Sequence, residues 1–369
     1  MMGLVMTFHF AGYFFGARFI IGAINAVGHI RVFAALASTA SIAVLINAVF
    51  VVPASWMVVY FISGICNAGI FVVLESWLNA KASNEVRGKV LGTYMMIMMG
   101  GTAAGFLLIN LGDSSGFRMF IFSSVLISSA VIPVALTSTS APPLQEEEER
   151  MKIGELFNII PAAVVGLFLA SFVQASTSSM GTVFGTEAGM STGKVALFTA
   201  VGFVGAVVLQ FPLGALSDRL PRRSVIIGAT VVAGVVALLG ALTPTTGSWI
   251  IVIHLCFGAF VFPIYGLFLA LANDWIPAER RTAAASALVL VSSLGAVVSP
   301  IITAQAMNIF GPSGFYWTFV GVFTLLFVYM TYRVKVREAV PIEKQSAFRP
   351  IVARSGEIFH TVTRRIRKP

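Results

Sequence analysis

The sequence predicts an all-α integral membrane protein, and three observations support this fold class. The chain is strongly apolar, because 57% of its 369 residues are hydrophobic, only 11% are charged, and the mean hydropathy is +0.92. Its apolar runs are long enough to cross a hydrocarbon core of ~30 Å, which takes roughly 20 helical residues. The runs also lack the alternation of barrel strands, and a helix satisfies its own backbone hydrogen bonds in lipid.

Eleven apolar runs are each predicted to be a transmembrane helix. They divide into a front bundle of five helices over residues 1–138 and a back bundle of six over 157–333. An acidic linker over 139–156 separates the bundles, and a basic tail covers 334–369. The predicted helices span 3–23, 32–52, 56–78, 89–111, 119–137, 157–183, 195–216, 224–243, 249–272, 283–307 and 315–332.

The basic residues predict the orientation of the helices. Of the 24 Lys and Arg residues, all but Arg18, Arg118 and Lys194 lie in the tail or in every second connection, beginning with the one after the first helix. Because positive charge is retained in the cytoplasm, these connections and the C-terminus are predicted to be cytoplasmic. Met1 is then on the opposite side of the membrane.

The net charge of +9 follows from this topology, so no nucleic-acid partner is expected. Residues 350–367 of the tail place Ile351, Ile358, Val362 and Ile366 near one helical face and most arginines elsewhere, so the segment is predicted to lie on anionic lipids. A disordered basic tail is the alternative. The two cysteines, Cys66 and Cys256, stand apart from other metal ligands in the sequence, so neither a metal nor another cofactor is expected.

The two bundles repeat one another in sequence. The segment G-A-I-N-A-V-G-H-I-R at 22–31 aligns with G-A-L-S-D-R-L-P-R-R at 214–223, and L-E-S-W-L-N at 74–79 aligns with A-N-D-W-I-P at 272–277. Such a repeat in a membrane protein indicates two halves related by an axis along the membrane normal. The back half has one more helix before its charged turn, so a further helix is expected in front of Met1.

The charged turn resembles the signature loop of the major facilitator superfamily. Its matching residues are Gly214, Asp218, Arg219, Arg222 and Arg223, while V-L-E-S-W-L-N and G-H-I-R-V-F resemble the YcaD-like branch of that superfamily. The resemblance implies two pseudo-symmetric bundles around a central cavity in the bacterial inner membrane, with alternating access from either side. The family has twelve helices, so this chain would lack the first, and a monomer is expected.

Eight residues are predicted to form a conformational latch on the cytoplasmic side. An Asp beside a helix N-terminus is stabilised by the helix dipole, and the repeat predicts that Asp218 meets the helix that begins near Lys89. The alternative is that the arginines only enforce topology. The predicted latch residues are Gly214, Asp218, Arg219, Arg222, Arg223, Glu75, Asp274 and Arg31.

Polar side chains inside the spans are candidate solute contacts, because such groups are costly in hydrocarbon unless they face a cavity or another helix. The candidates are Gln174, Ser178, Asn67, His254 and Tyr265. Helix packing is the alternative role for the serine. His254 is also the candidate for carrying a coupling proton, and a neutral histidine bonded to a neighbouring helix is the alternative.

The predicted function is secondary active transport of a small organic solute, with possible proton coupling. The sequence offers neither a hydrolase-type arrangement at mid-span nor a phosphate-binding P-loop, so an enzyme and an ATP-driven pump are not expected. Two alternatives stay open: a transport-inactive sensor or scaffold derived from a transporter, and a drug/proton antiporter.

Overall fold

The computed structural model describes residues 1–81, 87–111, 116–137, 151–245, 247–277, 280–336, 340–341 and 345. Within these ranges the regular secondary structure is entirely helical. The helices are α1 Met2–Val27, α2 His29–Val49, α3 Pro53–Lys81, α4 Arg87–Leu108, α5 Arg118–Ala135, α6 Ile153–Ile159, α7 Pro161–Glu187, α8 Thr192–Arg219, α9 Arg222–Leu242, α10 Trp249–Trp275, α11 Arg281–Phe310 and α12 Gly314–Val336, and a 3₁₀ turn, Ile109–Leu111, follows α4.

Ten of these helices are long and apolar enough to cross a membrane, counted over the ranges given above. The described part of α4 contributes a shorter apolar stretch, Thr93–Leu108, and α6 is a single short helix of seven residues. The prediction of an all-α membrane protein is therefore confirmed at the level of fold class.

Two helix boundaries differ from the predicted ones for local reasons. Gly28 has φ of 88°, a conformation that favours glycine, and this one residue separates α1 from α2 where the sequence predicts a longer turn. The helix predicted over 157–183 is instead two helices, because Pro161 begins α7 and Ile160 before it has non-helical backbone angles. A proline fits the first turn of a helix, and the residue before it avoids helical geometry.

Successive long helices run in opposite directions, so the molecule has two ends. The Met1 end carries Met1, the α2–α3 turn and the first residues of α8, α10 and α12. The linker end carries the α1–α2 turn, α6, the α8–α9 turn and the last residues of α10 and α12. The Lys/Arg distribution predicts that the linker end is cytoplasmic, and this stays a prediction.

Helices α1 and α3 cross with their backbones almost in contact. A Cβ atom on Gly12 would lie 1.9 Å from the carbonyl oxygen of Phe61, and one on Gly64 would lie 2.0 Å from that of His9. Small residues at a membrane helix crossing allow this approach and the van der Waals contact that comes with it.

Helices α8 and α10 cross in the same way in the back part of the chain. A Cβ atom on Gly205 would lie 2.1 Å from the carbonyl oxygen of Leu255, and one on Gly258 would lie 2.0 Å from that of Gly202. Gly205 follows Gly12 by 193 positions, and Gly258 follows Gly64 by 194. The sequence repeat is thus matched by a repeated helix crossing.

The acidic residues of the linker, 139–150, and most of the basic tail lie outside the described residues. The predicted contact of the tail with anionic lipids therefore stays a prediction.

Candidate binding cavity and charged cluster

A cavity of about 840 Å³, including its open mouth, lies midway along the helices. Its wall combines residues of α1, α3 and α4 with residues of α7, α8, α10 and α11, so both parts of the chain contribute. The lining residues are His9, Phe10, Tyr13, Asn67, Phe71, Met98, Met99, Thr102, Ser171, Gln174, Ala175, Ser178, Phe203, Phe262, Ser292, Ser293 and Ala296.

Three of the five predicted solute contacts line this cavity: Asn67, Gln174 and Ser178. Asn67 is exposed, at the middle of α3. Gln174 is buried, and its Nε2 donates a hydrogen bond of 2.9 Å to the carbonyl oxygen of Phe262. Ser178 donates through Oγ to the Gln174 carbonyl at 2.8 Å. Gln174 therefore joins α7 to α10 and holds Phe262 in the wall.

His254 lies outside the lining of this cavity. Its ring stacks on Phe198 with centroids 3.9 Å apart, and its Nδ1 lies 3.0 Å from the hydroxyl of Tyr316. It is 1% exposed in an aromatic cluster near the Met1 end and does not line the cavity. The eight residues from His254 to Phe262 rotate the side-chain direction by about 80° and move it ~12 Å along the helix. Helix membership alone therefore could not place this side chain.

Tyr265 lies behind the cavity wall and is also absent from the lining. It is 1% exposed, and the Ser292 Oγ, which lines the cavity, lies 3.5 Å from the Tyr265 hydroxyl. Tyr265 is three residues after Phe262, so it lies about one turn further along α10 toward the linker end. Its place in the structure is that of a residue supporting Ser292.

The repeat identifies cavity positions that are absent from the predicted solute contacts. Phe10 precedes Phe203 by 193 positions, and both line the cavity. Met98, Met99 and Thr102 of α4 precede Ser292, Ser293 and Ala296 of α11 by 194 positions, and all six line it. The glycine crossings give the same offsets, so matched positions in the two parts face one cavity.

The cavity wall is almost free of charge. Its polar members are hydroxyl and amide side chains together with His9, and it contains no Asp, Glu, Lys or Arg among the residues that the structure describes. The Ser171 Oγ is buried in this wall without a hydrogen-bond partner. In the same described ranges, no three His, Cys, Asp or Glu side chains form a group that could hold a metal ion.

A buried ion-pair cluster lies at the linker end of the back helices. The Arg222 guanidinium, at the start of α9, donates from Nη1 to both carboxylate oxygens of Asp274 in α10, at 2.7 and 2.8 Å. Its Nη2 donates to Asp218 of α8 at 3.1 Å. The Arg222 and Asp274 side chains are each 1% exposed, whereas that of Asp218 is 37% exposed. One guanidinium therefore connects three helices.

The other predicted latch residues are distributed around this cluster and on the front helices. Arg223 is buried, with its guanidinium carbon 5.7 Å from the centroid of the Trp275 ring. Arg219 and Arg31 are exposed, while Gly214 and Glu75 are buried. The side chain of Lys89 lies outside the described residues. The expected contact of Asp218 with the start of α4 therefore stays a prediction, and the contact described for Asp218 is with Arg222 in its own half.

Comparison with known proteins is consistent with these features. The profile of the Major Facilitator Superfamily matches residues 1–207 and again 163–367. An uncharacterised MFS-type transporter YcaD of Escherichia fergusonii is 26% identical over 69% of this chain and 66% of its own length, so the chain spans about two thirds of that relative.

Two solved structures share the fold. A D-xylose–proton symporter has a TM-score of 0.70 at 13% identity, covering 93% of this chain and 88% of its own. A nucleoside transporter, NupG, has a TM-score of 0.65 at 11% identity, covering 89% and 90% of the two chains. Together with the profile match, these relatives show that the chain is a multi-pass membrane protein of the Major Facilitator Superfamily, in its YcaD-like branch.

Proposed function

We propose that this protein is a secondary transporter that moves a small organic solute across the bacterial inner membrane by alternating access. The observation that carries the proposal is the cavity at mid-membrane depth, whose wall comes from both repeats. Solute sites in transporters built from repeats lie at the repeat interface near the bilayer midplane. The similar folds of a D-xylose–proton symporter and a nucleoside transporter support a solute as the cargo.

The architecture that we propose is two pseudo-symmetric bundles of five and six membrane helices, with α6 in the connection between them. The matched glycine crossings of α1 with α3 and of α8 with α10 support this symmetry. So do the matched cavity positions on α4 and α11. In the back bundle α11 also packs along α7, where Gly295 meets the Phe168 backbone.

Among the residues that the structure describes, contacts between the proposed bundles lie at the Met1 end. The Thr7 Oγ1 donates to the carbonyl oxygen of Val297 at 3.2 Å, and the rings of Phe106 and Phe203 stack with centroids 5.9 Å apart. A Cβ atom on Gly3 would lie 2.5 Å from that of Ala304. We propose that these contacts close the cavity toward the Met1 end.

We propose that the cavity opens at the linker end, because the contacts that the structure describes between the front and back helices lie at the Met1 end. The front helices bury a small apolar cluster there that is separate from the main core, which combines the back helices with part of α4. The separate cluster consists of Ile20, Ile24, Val32, Phe33, Ala37 and Val73. If the linker end is cytoplasmic, as the basic residues indicate, this is the inward-open state.

The charged cluster supports a latch at the linker end. Arg222 and Asp274 hold the ends of α9 and α10 together, which presents the partly exposed Asp218 at the end of α8. We propose that this carboxylate engages the first turn of α4 when the linker end closes, since a helix N-terminus stabilises an anion. Arg219 then lies at the surface of the same contact.

Uptake into proteoliposomes tests the proposed function. The purified protein is reconstituted and supplied with a mixture of sugars, nucleosides and organic acids, and the internal solutes are measured by mass spectrometry, with and without an imposed pH gradient. We expect at least one solute to accumulate above the level found in protein-free liposomes.

Replacing Gln174→Leu should reduce this uptake by about tenfold, because one lost hydrogen bond to a charged or polar solute is worth ~1–3 kcal/mol.

The matched control is Gln305→Leu, an exposed glutamine on α11. This variant should transport like the unmodified protein. Equal loss of uptake in both variants would show that the cavity does not carry the solute, and no uptake of any solute would favour a sensor or scaffold.

A further inference from the structure

We infer that the cavity takes an uncharged solute that carries several hydroxyl groups on an apolar body. This solute class rests on the proposed function in one respect, because the cavity is taken to be the solute site. Three properties of the wall point to it: the absence of charge, the direction of its hydrogen bonds, and its apolar surface.

The wall offers a charged solute no opposite charge. Its lining contains no Asp, Glu, Lys or Arg within the part of the chain that the structure describes. A charged group that leaves water for such a site loses its hydration without gaining an ion pair. His9 and Tyr13 also line the cavity, but each already interacts with another group of the protein, so neither is counted among the groups offered to the solute. The wall therefore favours a solute without net charge.

Two hydroxyl groups of the wall have already donated their proton within the protein. Thr102 and Ser178 each donate to the backbone carbonyl four residues earlier on their own helix, at 2.8 Å in both cases. A hydroxyl group has one proton and two lone pairs, so each of these oxygens can now only accept. Gln174 uses one N–H on the Phe262 carbonyl and keeps its amide oxygen as an acceptor. The wall therefore calls for hydrogen-bond donors on the solute.

Ser171 supplies a donor in the same wall. Its side chain is 2% exposed, and its Oγ is buried without a hydrogen-bond partner. A buried hydroxyl group without a partner is costly, and an acceptor on the solute would remove that cost. Asn67 is exposed in the wall and adds an amide, which both donates and accepts. A solute hydroxyl fits either kind of group, because it too donates and accepts.

The charged polar groups of common solutes fit this wall less well. A carboxylate only accepts hydrogen bonds, so it would face the lone pairs of Thr102 and Ser178 without a proton between the oxygens. An ammonium group brings donors, but its charge finds no partner in the described wall. Hydroxyl groups bring donors and acceptors without a charge.

The rest of the wall fits the carbon frame of such a solute. Its aromatic and thioether side chains are Phe10, Phe71, Met98, Met99, Phe203 and Phe262. The cavity volume of about 840 Å³ lies within the range of ~300–1,000 Å³ that is typical of small-molecule sites. A sugar ring or another cyclic polyol with an aromatic or alkyl substituent has the required properties.

Binding of matched phenyl glycosides to the purified full chain tests this class. Isothermal titration calorimetry is carried out in lipid nanodiscs prepared without glycoside detergents, which would themselves compete for the cavity. Phenyl β-D-glucoside is the neutral probe. The phenyl glucuronide carries a carboxylate at the same ring carbon, the 6-amino-6-deoxyglucoside carries an ammonium group, and the tetra-O-methyl glucoside has no hydroxyl proton.

We expect the glucoside to bind and the two charged probes and the methylated probe to bind at least about tenfold more weakly, because each lacks neutrality or donors. Phenyl β-D-xyloside lacks the altered carbon and stays neutral, so it separates the loss of one hydroxyl from the effect of charge. It should bind more tightly than either charged probe.

Two variants locate the binding in the cavity. Thr102→Val removes an acceptor at nearly constant shape, and Ser171→Ala removes the unpartnered donor. Each should weaken glucoside binding by about three- to tenfold, the usual effect of one lost hydrogen bond. The control is Thr186→Val, at an exposed threonine of α7 outside the lining, which should bind like the unmodified protein.

A glucoside that does not bind would overturn the inference, and so would a charged or methylated probe that binds equally well. Unchanged affinity in both folded cavity variants would also overturn it. If the variants fail to fold, the probe series on the unmodified protein decides. Calorimetry needs no transport, so an anion taken up by the proteoliposomes would contradict this solute class and leave the proposed function intact. A glucoside that binds while no solute is taken up would do the reverse.

Discussion

Replacing Arg222→Met is expected to reduce the free energy of unfolding by ~3–5 kcal/mol, the typical cost of removing one partner from a buried ion pair. The Asp274 carboxylate is 1% exposed and would lose its bidentate hydrogen bonds of 2.7 and 2.8 Å while staying surrounded by protein. Asp218 would lose its bond to the same guanidinium. Helices α8, α9 and α10 would then lose their common contact at the linker end.

Thermal unfolding in detergent measures this effect, with Arg219→Met as the control because Arg219 is an exposed arginine three residues earlier. The control should unfold like the unmodified protein. The double variant Arg222→Met with Asp274→Leu should recover most of the lost free energy of unfolding, because no unpaired charge of this pair then stays buried. A single variant as stable as the control would mean that the ion pair does not hold the three helices.

Replacing Gly12→Leu is expected to prevent the front helices from packing and to cost at least about 3 kcal/mol, at the upper end for overpacked sites. A Cβ atom there would lie 1.9 Å from the carbonyl oxygen of Phe61, which is backbone and cannot rotate away. Helices α1 and α3 would have to separate, and the His9 carbonyl would leave its contact with Gly64.

Size-exclusion chromatography and thermal unfolding report the result, with Gly22→Leu as the control on the same helix. A Cβ atom on Gly22 would have no neighbouring atom within 4 Å, so the leucine there meets open space. The control should elute as a single species and unfold near the unmodified protein. Equal behaviour of the two variants would contradict the close crossing.

Composition and charge pattern were sufficient to predict the membrane class and most helices. A segment that spans lipid needs a minimum apolar length and must satisfy its backbone hydrogen bonds internally. The short helix α6 was missed although its cause is local: Pro161 begins a new helix, and a proline at that place is a readable signal. The one-residue turn at Gly28 was also missed, since its positive φ is a property of the fold.

The sequence could indicate which helices line the cavity, but only partly which side chains lie in its wall. Gln174 and Asn67 line the cavity, whereas His254 and Tyr265 lie on α10 outside its lining. A hydrophobic span has apolar residues all round, so the pattern does not mark its inner face. The Arg222–Asp274 pair joins two residues that the sequence already assigns to the latch, because Asp274 ends its helix close to the charged turn.

The internal repeat was the signal that held most of the missing information. Aligning Gly12 with Gly205 and Gly64 with Gly258 gives the offsets at which the two halves share cavity positions. Phe10 would have been found this way, because its counterpart Phe203 faces the same space.

Paired spin-label distances test alternating access most directly, in protein whose two cysteines are replaced by alanine. One pair spans the Met1 end, at Val49 and Trp249, and the other spans the linker end, at Val27 and Leu220; all four positions are exposed. With Asp218→Ala, we predict that the linker-end distance lengthens while the Met1-end distance shortens, because the latch is lost. Two distances that stay fixed, or that change in the same direction, would contradict the account.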